Sequence, residues 1–219
     1  MLIITIEHLQ PINMSKKFLA FLAFTVILSI GRPWFNPGQH PYLFILWNLF
    51  LAFLPLFFAK VTMRLREKPK LQVLAFLSWL LFFPNAPYIL TDLTHLDHSH
   101  GFNWYDTLLI LAAGIAGIKM AFDSLDLVLI ELNKLFPRIS GIIWTTGFML
   151  LAAYGIYLGR FLRFNSWDIL KQPIKLFRAC MDLFLHPAIY RSEWTMILIF
   201  SGFLISLKAI WPKDNLQEA

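Results

Sequence analysis

Long apolar stretches separated by short polar intervals dominate the chain. A helix that crosses the hydrocarbon core of a membrane needs about 20 mostly apolar residues. Six stretches approach or reach that length, at residues 18–30, 42–59, 71–90, 107–122, 139–158 and 194–211. They lack the alternation of barrel strands, and peptide groups within lipid must be hydrogen-bonded inside the protein. The pattern therefore predicts an all-α fold, a polytopic transmembrane helical bundle of about six spans.

The amino-acid composition also indicates an integral membrane protein. Hydrophobic residues make up 58% of the 219 residues and charged residues only 15%, a balance that is wrong for a soluble domain. The longest polar interval, residues 160–193, has room for one or two helices, so we expect a single transmembrane domain over residues 1–219. The single cysteine, Cys180, excludes an internal disulfide and a thiolate metal cluster.

The first apolar stretch superficially resembles a secretory signal, because Lys16 and Lys17 precede it. No small-residue cleavage site follows, and residues 31–34 are expected to form an interfacial turn. We therefore expect this stretch to be retained as the first span. Met14 is a second candidate start, which leaves open whether residues 1–13 are translated.

Lysine and arginine are distributed unevenly between the two sides of the predicted bundle. Ten lie on the side of the two termini and seven on the opposite side, and basic residues of short loops are retained in the cytoplasm. We therefore expect a multi-pass protein of the inner (plasma) membrane with both termini in the cytoplasm. This distribution accounts for most of the net charge of +6, so the expected partners are membrane lipids and not nucleic acid.

The third apolar stretch breaks at two prolines. Pro84 and Pro87 each remove a backbone donor and clash with the preceding turn, so the helix should kink or unwind around Asn85. Carbonyl groups freed at that depth are tolerated against protein or against a wet cavity. The break is therefore either a structural kink or part of a ligand or ion site, and the sequence leaves both open.

Ionisable residues follow the break at once. Asp92 and His95 are three residues apart, so on a helical turn they share one face and can transfer protons or bind one divalent metal. Asp106 supplies a further carboxylate, and Tyr88 and Tyr105 supply phenolic protons. The candidate catalytic residues are Asp92, His95 and Asp106, and the candidate metal ligands are Asp92 and His95. The alternative is that this loop is simply solvated.

A second polar segment ends the fifth apolar stretch. Gly155 and Gly159 are four residues apart, a spacing that permits close helix packing. Arg160 and Arg163 can clamp a phosphate or a carboxylate in a planar, bidentate geometry. The alternative is that both arginines only extend from a helix end to the membrane interface.

The two polar segments are expected on the same side of the bundle, where residues 160–193 carry six basic residues and residues 91–105 carry none. Asn165 and Asp168 have the spacing of a helix N-cap. An interfacial amphipathic helix at about 170–185 is expected to follow, apolar side down. The candidate substrate-binding residues are Asn85, Tyr88, Tyr105, Tyr157, Arg160, Arg163, Asn165 and Asp168.

Two further patterns concern helix packing. Lys119 and Asp123 are four residues apart and are expected to form an ion pair along one helix. Ala113, Gly117 and Ala121 form a ridge of small residues, which predicts close contact with a neighbouring helix.

Three motifs carry a resemblance to a known family: FPNAPYILTDLTH at residues 83–95, NWYD at 103–106 and GIYLGRFLRFNSWD at 155–168. With them the sequence resembles an uncharacterised bacterial family of integral membrane proteins, the domain of unknown function 1361, from about Asn48 to the last span. The resemblance implies a bacterial inner-membrane protein. It implies no activity, substrate or catalytic residue.

Three functions are consistent with these patterns. The first is an enzyme that acts on a lipid or lipid-linked anionic substrate at the extracytoplasmic face, where the Asp/His cluster transfers protons or holds a divalent metal and the arginine pair holds the anionic group. The second is a small transporter or ion-handling protein with its site at the broken third span. The third is a structural or assembly partner of other membrane proteins. The enzyme hypothesis requires the two polar segments to meet in one pocket.

Overall fold

The computed structural model describes residues 14–35, 43–95 and 104–211, and these residues form helices without strands. The elements are α1 (Lys16–Phe35), α2 (Leu43–Arg64), α3 (Pro69–Phe82), α4 (Asn85–Tyr88), a 3₁₀ helix (Ile89–His95), α5 (Trp104–Leu135), α6 (Gly141–Arg160), α7 (Asp168–Lys171), α8 (Pro173–Leu185) and α9 (Arg191–Ile210). Within this part of the chain, six helical segments are long and apolar enough to cross a membrane: α1, α2, Pro69–Thr94, α5, α6 and α9. The prediction of an all-α, polytopic bundle is confirmed.

Local signals start several of these helices. The Ser15 hydroxyl accepts a hydrogen bond from the Phe18 amide at 3.2 Å at the start of α1. Ser140 caps α6 in the same way. Proline occupies the first position of α3 and of α8, where the missing amide hydrogen costs nothing because no helical partner exists.

Helix α5 is longer than its apolar stretch. It has 32 residues, about 48 Å at about 1.5 Å per residue, against about 30 Å for the hydrocarbon core. The carboxylates of its second half are paired: Asp126 pairs with Lys208 of α9 at 2.6 Å, and Glu131 pairs with Arg66 at 2.7 Å. The ion pair predicted between Lys119 and Asp123 is confirmed, with the lysine 3.1 Å from both carboxylate oxygens.

α5 is also the central helix of the bundle. In its most apolar window of 18 residues, 72% of the residues are buried, compared with 17% to 33% in the other five membrane-length segments. Helices α1 and α2, the broken third span and α6 all contact it. α9 packs on α6 at the periphery.

The interfacial turn predicted at the end of the first span is wrong, because α1 continues through Pro33. The Tyr105 hydroxyl of α5 donates a hydrogen bond to the Leu28 carbonyl oxygen of α1 at 2.6 Å. Arg32 lies in the same turn, is only 3% exposed and pairs with Asp106 of α5. Side chains of α5 therefore fix the last turn of α1.

The third span changes its conformation at the two prolines, as the sequence predicts. The straight helix α3 gives way to the single turn α4 and then to the 3₁₀ helix, and the Tyr88 amide donates to the Pro84 carbonyl at 3.1 Å. We call residues 84–95 the break. One side of it is packed, with Ala86 and Pro87 buried. The other side faces the cavity described below.

Glycines of α5 and α6 allow the break to pack closely. A Cβ atom added to Gly117 would lie closer than 3.0 Å to the Ala86 carbonyl oxygen, and one added to Gly155 would lie closer than 3.0 Å to ring carbons of Pro84. A Cβ atom added to Gly159 would lie 3.3 Å from the Tyr88 ring, a looser contact. The close packing predicted for the glycine pair is confirmed, and so is that of Gly117 in the small-residue ridge; the partner of these glycines is the break.

The amphipathic helix predicted at about 170–185, with its start near Pro173, is α8 (Pro173–Leu185), and the short helix α7 precedes it. The residue before a proline avoids the helical conformation, and Gln172 accordingly separates α7 from α8. Leu183 is buried against Tyr157 of α6. The apolar stripe itself is exposed, as a lipid-facing surface would be: it comprises Leu170, Ile174, Phe177, Met181 and Phe184.

Replacing Gly155 with alanine should destabilise the protein, because the rigid Pro84 ring leaves no space for a methyl group. We expect Gly155→Ala to cost about 1–3 kcal/mol through overpacking. Gly147→Ala in the same helix is the matched control, since nothing lies within 4 Å of its added Cβ, and it should be neutral or stabilising by up to about 1 kcal/mol. Thermal unfolding in detergent measures both, and equal stability of the two variants would contradict the close packing.

Candidate functional site

A cavity of about 290 Å³ lies where α2, the break, α6 and the turn after α6 meet. Its remaining wall includes Leu176 of α8, so it lies at the end of the bundle that carries the amphipathic helices. The polar residues that line it are Asn48, Asn85, Tyr88, Asn165 and Ser166, and two tryptophans, Trp47 and Trp167, stand with ring centroids 6.4 Å apart. The break and the turn after α6 therefore line one cavity, whereas Asp92, Asp106 and Arg160 are not among the residues that line it.

Hydrogen bonds hold the turn after α6 against the break. The Asn85 amide donates to the Ser166 hydroxyl at 3.0 Å, and that hydroxyl donates to the Leu81 carbonyl oxygen at 3.4 Å. Within the turn, the Asn165 backbone amide donates to the buried Asp168 carboxylate at 2.7 Å. The N-cap of α7 is Trp167 and not Asn165 as its spacing from Asp168 predicts, so this bond closes the turn before α7 and positions Asn165 and Ser166 on the cavity wall.

A buried ion pair lies directly behind the wall. Asp92 is 1% exposed, and its carboxylate accepts hydrogen bonds from Arg160 at 3.3 Å and from the Asn48 amide at 2.8 Å. Arg160 also donates to the Tyr88 hydroxyl at 3.5 Å, lies 5.9 Å from the centre of the Tyr88 ring, and donates to the Thr94 hydroxyl. The pair thus connects α2, the break and the end of α6.

This geometry separates charge from the cavity surface. Asn48 and Tyr88 line the cavity, whereas Asp92 and Arg160, which hold them, do not. Among the described residues, all those that line the cavity are uncharged. The wall therefore presents neutral hydrogen-bonding groups whose orientation an ion pair fixes.

Arg163 lies at the turn and is exposed. Its φ of 59° is left-handed, which costs an L residue other than glycine about 1–2 kcal/mol. The turn lets the Phe164 amide donate to the Leu158 carbonyl oxygen at 3.0 Å. Phe164 then lines the cavity, so Arg163 stands beside the cavity and not inside it.

Asp106 and Tyr105 belong to a different contact. Both carboxylate oxygens of Asp106 bind Arg32, at 2.7 and 2.6 Å, and each side chain is 4% exposed. Tyr105 binds the backbone of α1 and stacks on Phe35 with ring centroids 4.7 Å apart. Neither residue lines the cavity, so two of the candidate residues attach α1 to α5.

Tyr157 and His95 are two further residues that the sequence analysis names as candidates. Tyr157 is 4% exposed and packs with Leu183 and Ile197 in a second apolar core, away from the cavity wall. His95 ends the 3₁₀ helix, but its side chain lies outside what the structure describes. Among the described residues, no three His, Cys, Asp or Glu side chains form a metal-holding group. A metal at Asp92 and His95 therefore stays a prediction.

Four residues of the cavity were missed as candidates: Trp47, Asn48, Ser166 and Trp167. Asn48 carried a usable signal, because a lone amide within an apolar stretch needs a polar partner in the bundle. The tryptophans carried only the general signal of residues at a membrane interface.

A second polar cluster lies at the end of α8. Asp182 accepts a hydrogen bond from Tyr190, and His186 lies 2.9 Å from the same carboxylate. The hydrogen bond to Asp182 raises the pKa of the Tyr190 phenol. His186 and Asp182 are about half exposed, so the cluster ties the loop after α8 at the surface.

Comparison with protein families gives one match, to the family described as Protein of unknown function (DUF1361), over residues 47–207. The chain belongs to this family. The matched region contains every residue that lines the cavity, whereas Arg32 and the whole of α1 precede it. Comparisons with curated proteins and with solved structures gave no match. With its six apolar helices the chain is a multi-pass integral membrane protein, and the family description assigns it no activity.

Removing one member of the Arg32–Asp106 pair should destabilise the protein more than removing both. Asp106→Leu leaves a buried guanidinium without its carboxylate, which we expect to cost about 3–5 kcal/mol. Adding Arg32→Met to that variant removes the buried charge and should restore most of the loss. Thermal unfolding of the two single variants and the double variant in detergent measures this coupling, and strictly additive losses would contradict it.

Proposed function

We propose that this family member is a membrane enzyme that acts on a lipid or lipid-linked anionic substrate bound at the cavity. One observation carries the proposal: the break and the turn after α6, which are distant in sequence, line a single cavity at the end of the bundle, next to exposed amphipathic helices. Small-molecule sites are mostly apolar pockets with a few convergent polar groups, and this pocket fits that description.

The Asp92–Arg160 ion pair fixes the orientation of groups on the cavity wall. Asp92 holds the Asn48 amide and Arg160 holds the Tyr88 hydroxyl, so two groups on the wall are fixed before a substrate binds. Preorganised groups of this kind lower the cost of orienting a substrate. In the proposal Asp92 and Arg160 position the wall, and His95, on the same 3₁₀ helix, is the candidate for proton transfer. Asp106 has less support, because both of its oxygens bind Arg32.

The anionic part of the substrate is assigned to the basic residues beside the pocket. Arg163 precedes Phe164 of the wall, and the Lys175 ammonium lies 5.8 Å from the centre of the Phe164 ring. Arg160 is a weaker candidate for this role than the sequence suggests, since the Asp92 carboxylate already compensates its charge.

Transport has less support than catalysis. A translocation path through the broken span would need polar or wet surroundings for the freed backbone. The bundle side of the break is instead packed, with Ala86 and Pro87 buried and the Ala86 carbonyl against Gly117. The pocket lies on the other side of the break, as a surface site does.

We also propose that the protein lies in a bacterial inner membrane with the cavity on the extracytoplasmic side. The excess of basic residues on the side of the two termini supports this orientation. Three membrane crossings, by the third span, α5 and α6, separate the loop after α2 from the α7–α8 segment. The two therefore lie on opposite sides of the membrane.

Cysteine labelling tests this orientation. In a Cys180→Ser background, Gln172→Cys between α7 and α8 should react with a membrane-impermeant maleimide in intact cells. Lys68→Cys, in the loop between α2 and α3, is the matched control and should react only after permeabilisation; both positions are exposed. The reverse pattern would place the cavity in the cytoplasm.

Turnover of lipids tests the activity. Membranes that contain the full chain should convert a lipid species that membranes without it leave unchanged, and Asp92→Asn should lower the rate about 100-fold or more, in the range of a lost catalytic or orienting group. Lipid mass spectrometry measures the conversion. Asp126→Asn, which breaks an ion pair on α5 outside the cavity, is the matched control and should remain active.

Folding must be separated from activity in this test. Tyr88→Phe removes only one hydroxyl and should keep the unfolding temperature while slowing turnover. Identical lipid profiles with and without the chain, or full activity of a folded Asp92→Asn variant, would overturn the proposed enzyme.

A further inference from the structure

We propose that the part of the substrate that enters the cavity is an uncharged, hydroxyl-rich headgroup, such as a single sugar or inositol ring, and that the phosphate attached to it stays outside at the basic residues. This inference rests on the proposed function and names the class of its substrate. It follows from where the structure places neutral and charged groups.

The wall of the cavity is chemically suited to hydroxyl groups. It presents the side-chain amides of Asn48, Asn85 and Asn165 and the hydroxyls of Tyr88 and Ser166. Amides and hydroxyls each donate and accept hydrogen bonds, as the hydroxyl groups of a polyol do. A volume of about 290 Å³ is near the lower end of the roughly 300–1,000 Å³ of ligand pockets, which suits one ring and not an extended chain of them.

The same wall is unsuited to a phosphate. Every described residue that lines the cavity is uncharged, and an ionised group that leaves water without a charged partner loses more free energy than hydrogen bonds alone return. The partly buried Arg160 is paired with Asp92 at 3.3 Å and donates to the Tyr88 hydroxyl from behind the wall. A free phosphate would therefore gain little by entering.

Aromatic rings complete the match to a ring-shaped headgroup. Trp47 and Trp167 stand at the cavity with centroids 6.4 Å apart and planes at 59°. An indole offers a flat apolar face and one donor, and the C–H face of a sugar ring is apolar while its edge carries hydroxyls. Such a pair can hold a ring without any charge.

Positive charge is available just outside the cavity. Lys175 lies over the ring of Phe164 at 5.8 Å, and its neighbour Leu176 lines the cavity. Lys171, Lys175 and Arg178 share a surface groove on α7 and α8. A phosphate attached to the headgroup would meet these cations, and its lipid chains would continue along the exposed apolar stripe of α8.

Lipid binding tests the inference. The purified full chain is exposed to phosphatidylinositol, phosphatidic acid and a monoglucosyl diacylglycerol with matched acyl chains, and native mass spectrometry measures the lipid retained. We expect phosphatidylinositol to be retained about tenfold more strongly than phosphatidic acid, the effect of about one or two added hydrogen bonds. The glucosyl lipid should also exceed phosphatidic acid.

Substitutions separate the headgroup site from the basic residues. Asn85→Leu should abolish the preference for phosphatidylinositol over phosphatidic acid, and the milder Ser166→Ala should reduce it if Asn85→Leu fails to fold. Asn133→Leu, an exposed asparagine on α5, is the matched control and should change nothing. Lys175→Gln should weaken both phosphate-bearing lipids equally and leave the glucosyl lipid unaffected.

The outcomes distinguish the two proposals. Equal retention of phosphatidic acid and phosphatidylinositol would overturn the uncharged headgroup while leaving a lipid-directed enzyme in place. Retention of none of the three lipids by a chain that still converts lipids in membranes would likewise overturn it. Absence of both retention and conversion would remove the proposed function, and the headgroup inference with it.

Discussion

Backbone groups inside a bilayer have no water to bind, so protein must satisfy any departure from a helix there. The third span departs at Pro84, and the surrounding helices are arranged to receive it. Gly117 of α5 admits the Ala86 carbonyl, and Gly155 of α6 admits the Pro84 ring. Because these contacts involve rigid ring and backbone atoms, they set the separation of the three elements. Pro84 and Gly155 also line the cavity, so their contact forms part of its wall.

Two ion pairs attach the end of α1 and the 3₁₀ helix to neighbouring helices. Only 22% of the apolar window of α1 is buried, and the Arg32–Asp106 pair ties its last turn to α5. The Asp92–Arg160 pair does the same for the 3₁₀ helix, which it ties to α6. Burying charges costs free energy unless they are paired, so each pair acts mainly by specifying one arrangement. In the second pair, that arrangement orients the cavity wall.

Some features of this structure could be predicted from the sequence because they depend only on residues close together along the chain. The apolar stretches give the spans, the prolines give the break, and a spacing of four gives both the Lys119–Asp123 pair and the glycine contact on α6. Helical periodicity determines which residues share a face. It does not determine which helix that face meets, and in a bundle where every span is apolar no pattern distinguishes the neighbours.

Contacts between side chains that are far apart in the sequence could therefore not be predicted. Asp106 meets Arg32 across 74 residues, and Asp92 meets Asn48 across 44. The error about Arg32 has a specific cause: a glycine, an arginine and a proline in succession are typical of a turn at the membrane surface, and the buried carboxylate of Asp106 that binds Arg32 is distant in sequence. Because Arg32 was expected in a surface turn, its pairing with Asp106 was not foreseen. Asp106 was therefore counted as a candidate catalytic residue and not as a structural one.

The same reasoning changes what the arginines of the site can do. The sequence spacing of Arg160 and Arg163 predicts an anion clamp. In the structure Arg160 is neutralised by Asp92, and Arg163 stands outside the cavity at the turn. In the proposed function, selectivity at the wall then comes from hydrogen bonds. Asn48 and Asn85 already donate to Asp92 and Ser166, so a ligand would meet their remaining donors and their carbonyl oxygens in fixed orientations. The basic residues beside the cavity would concentrate anionic lipids there, and the neutral wall would select among them.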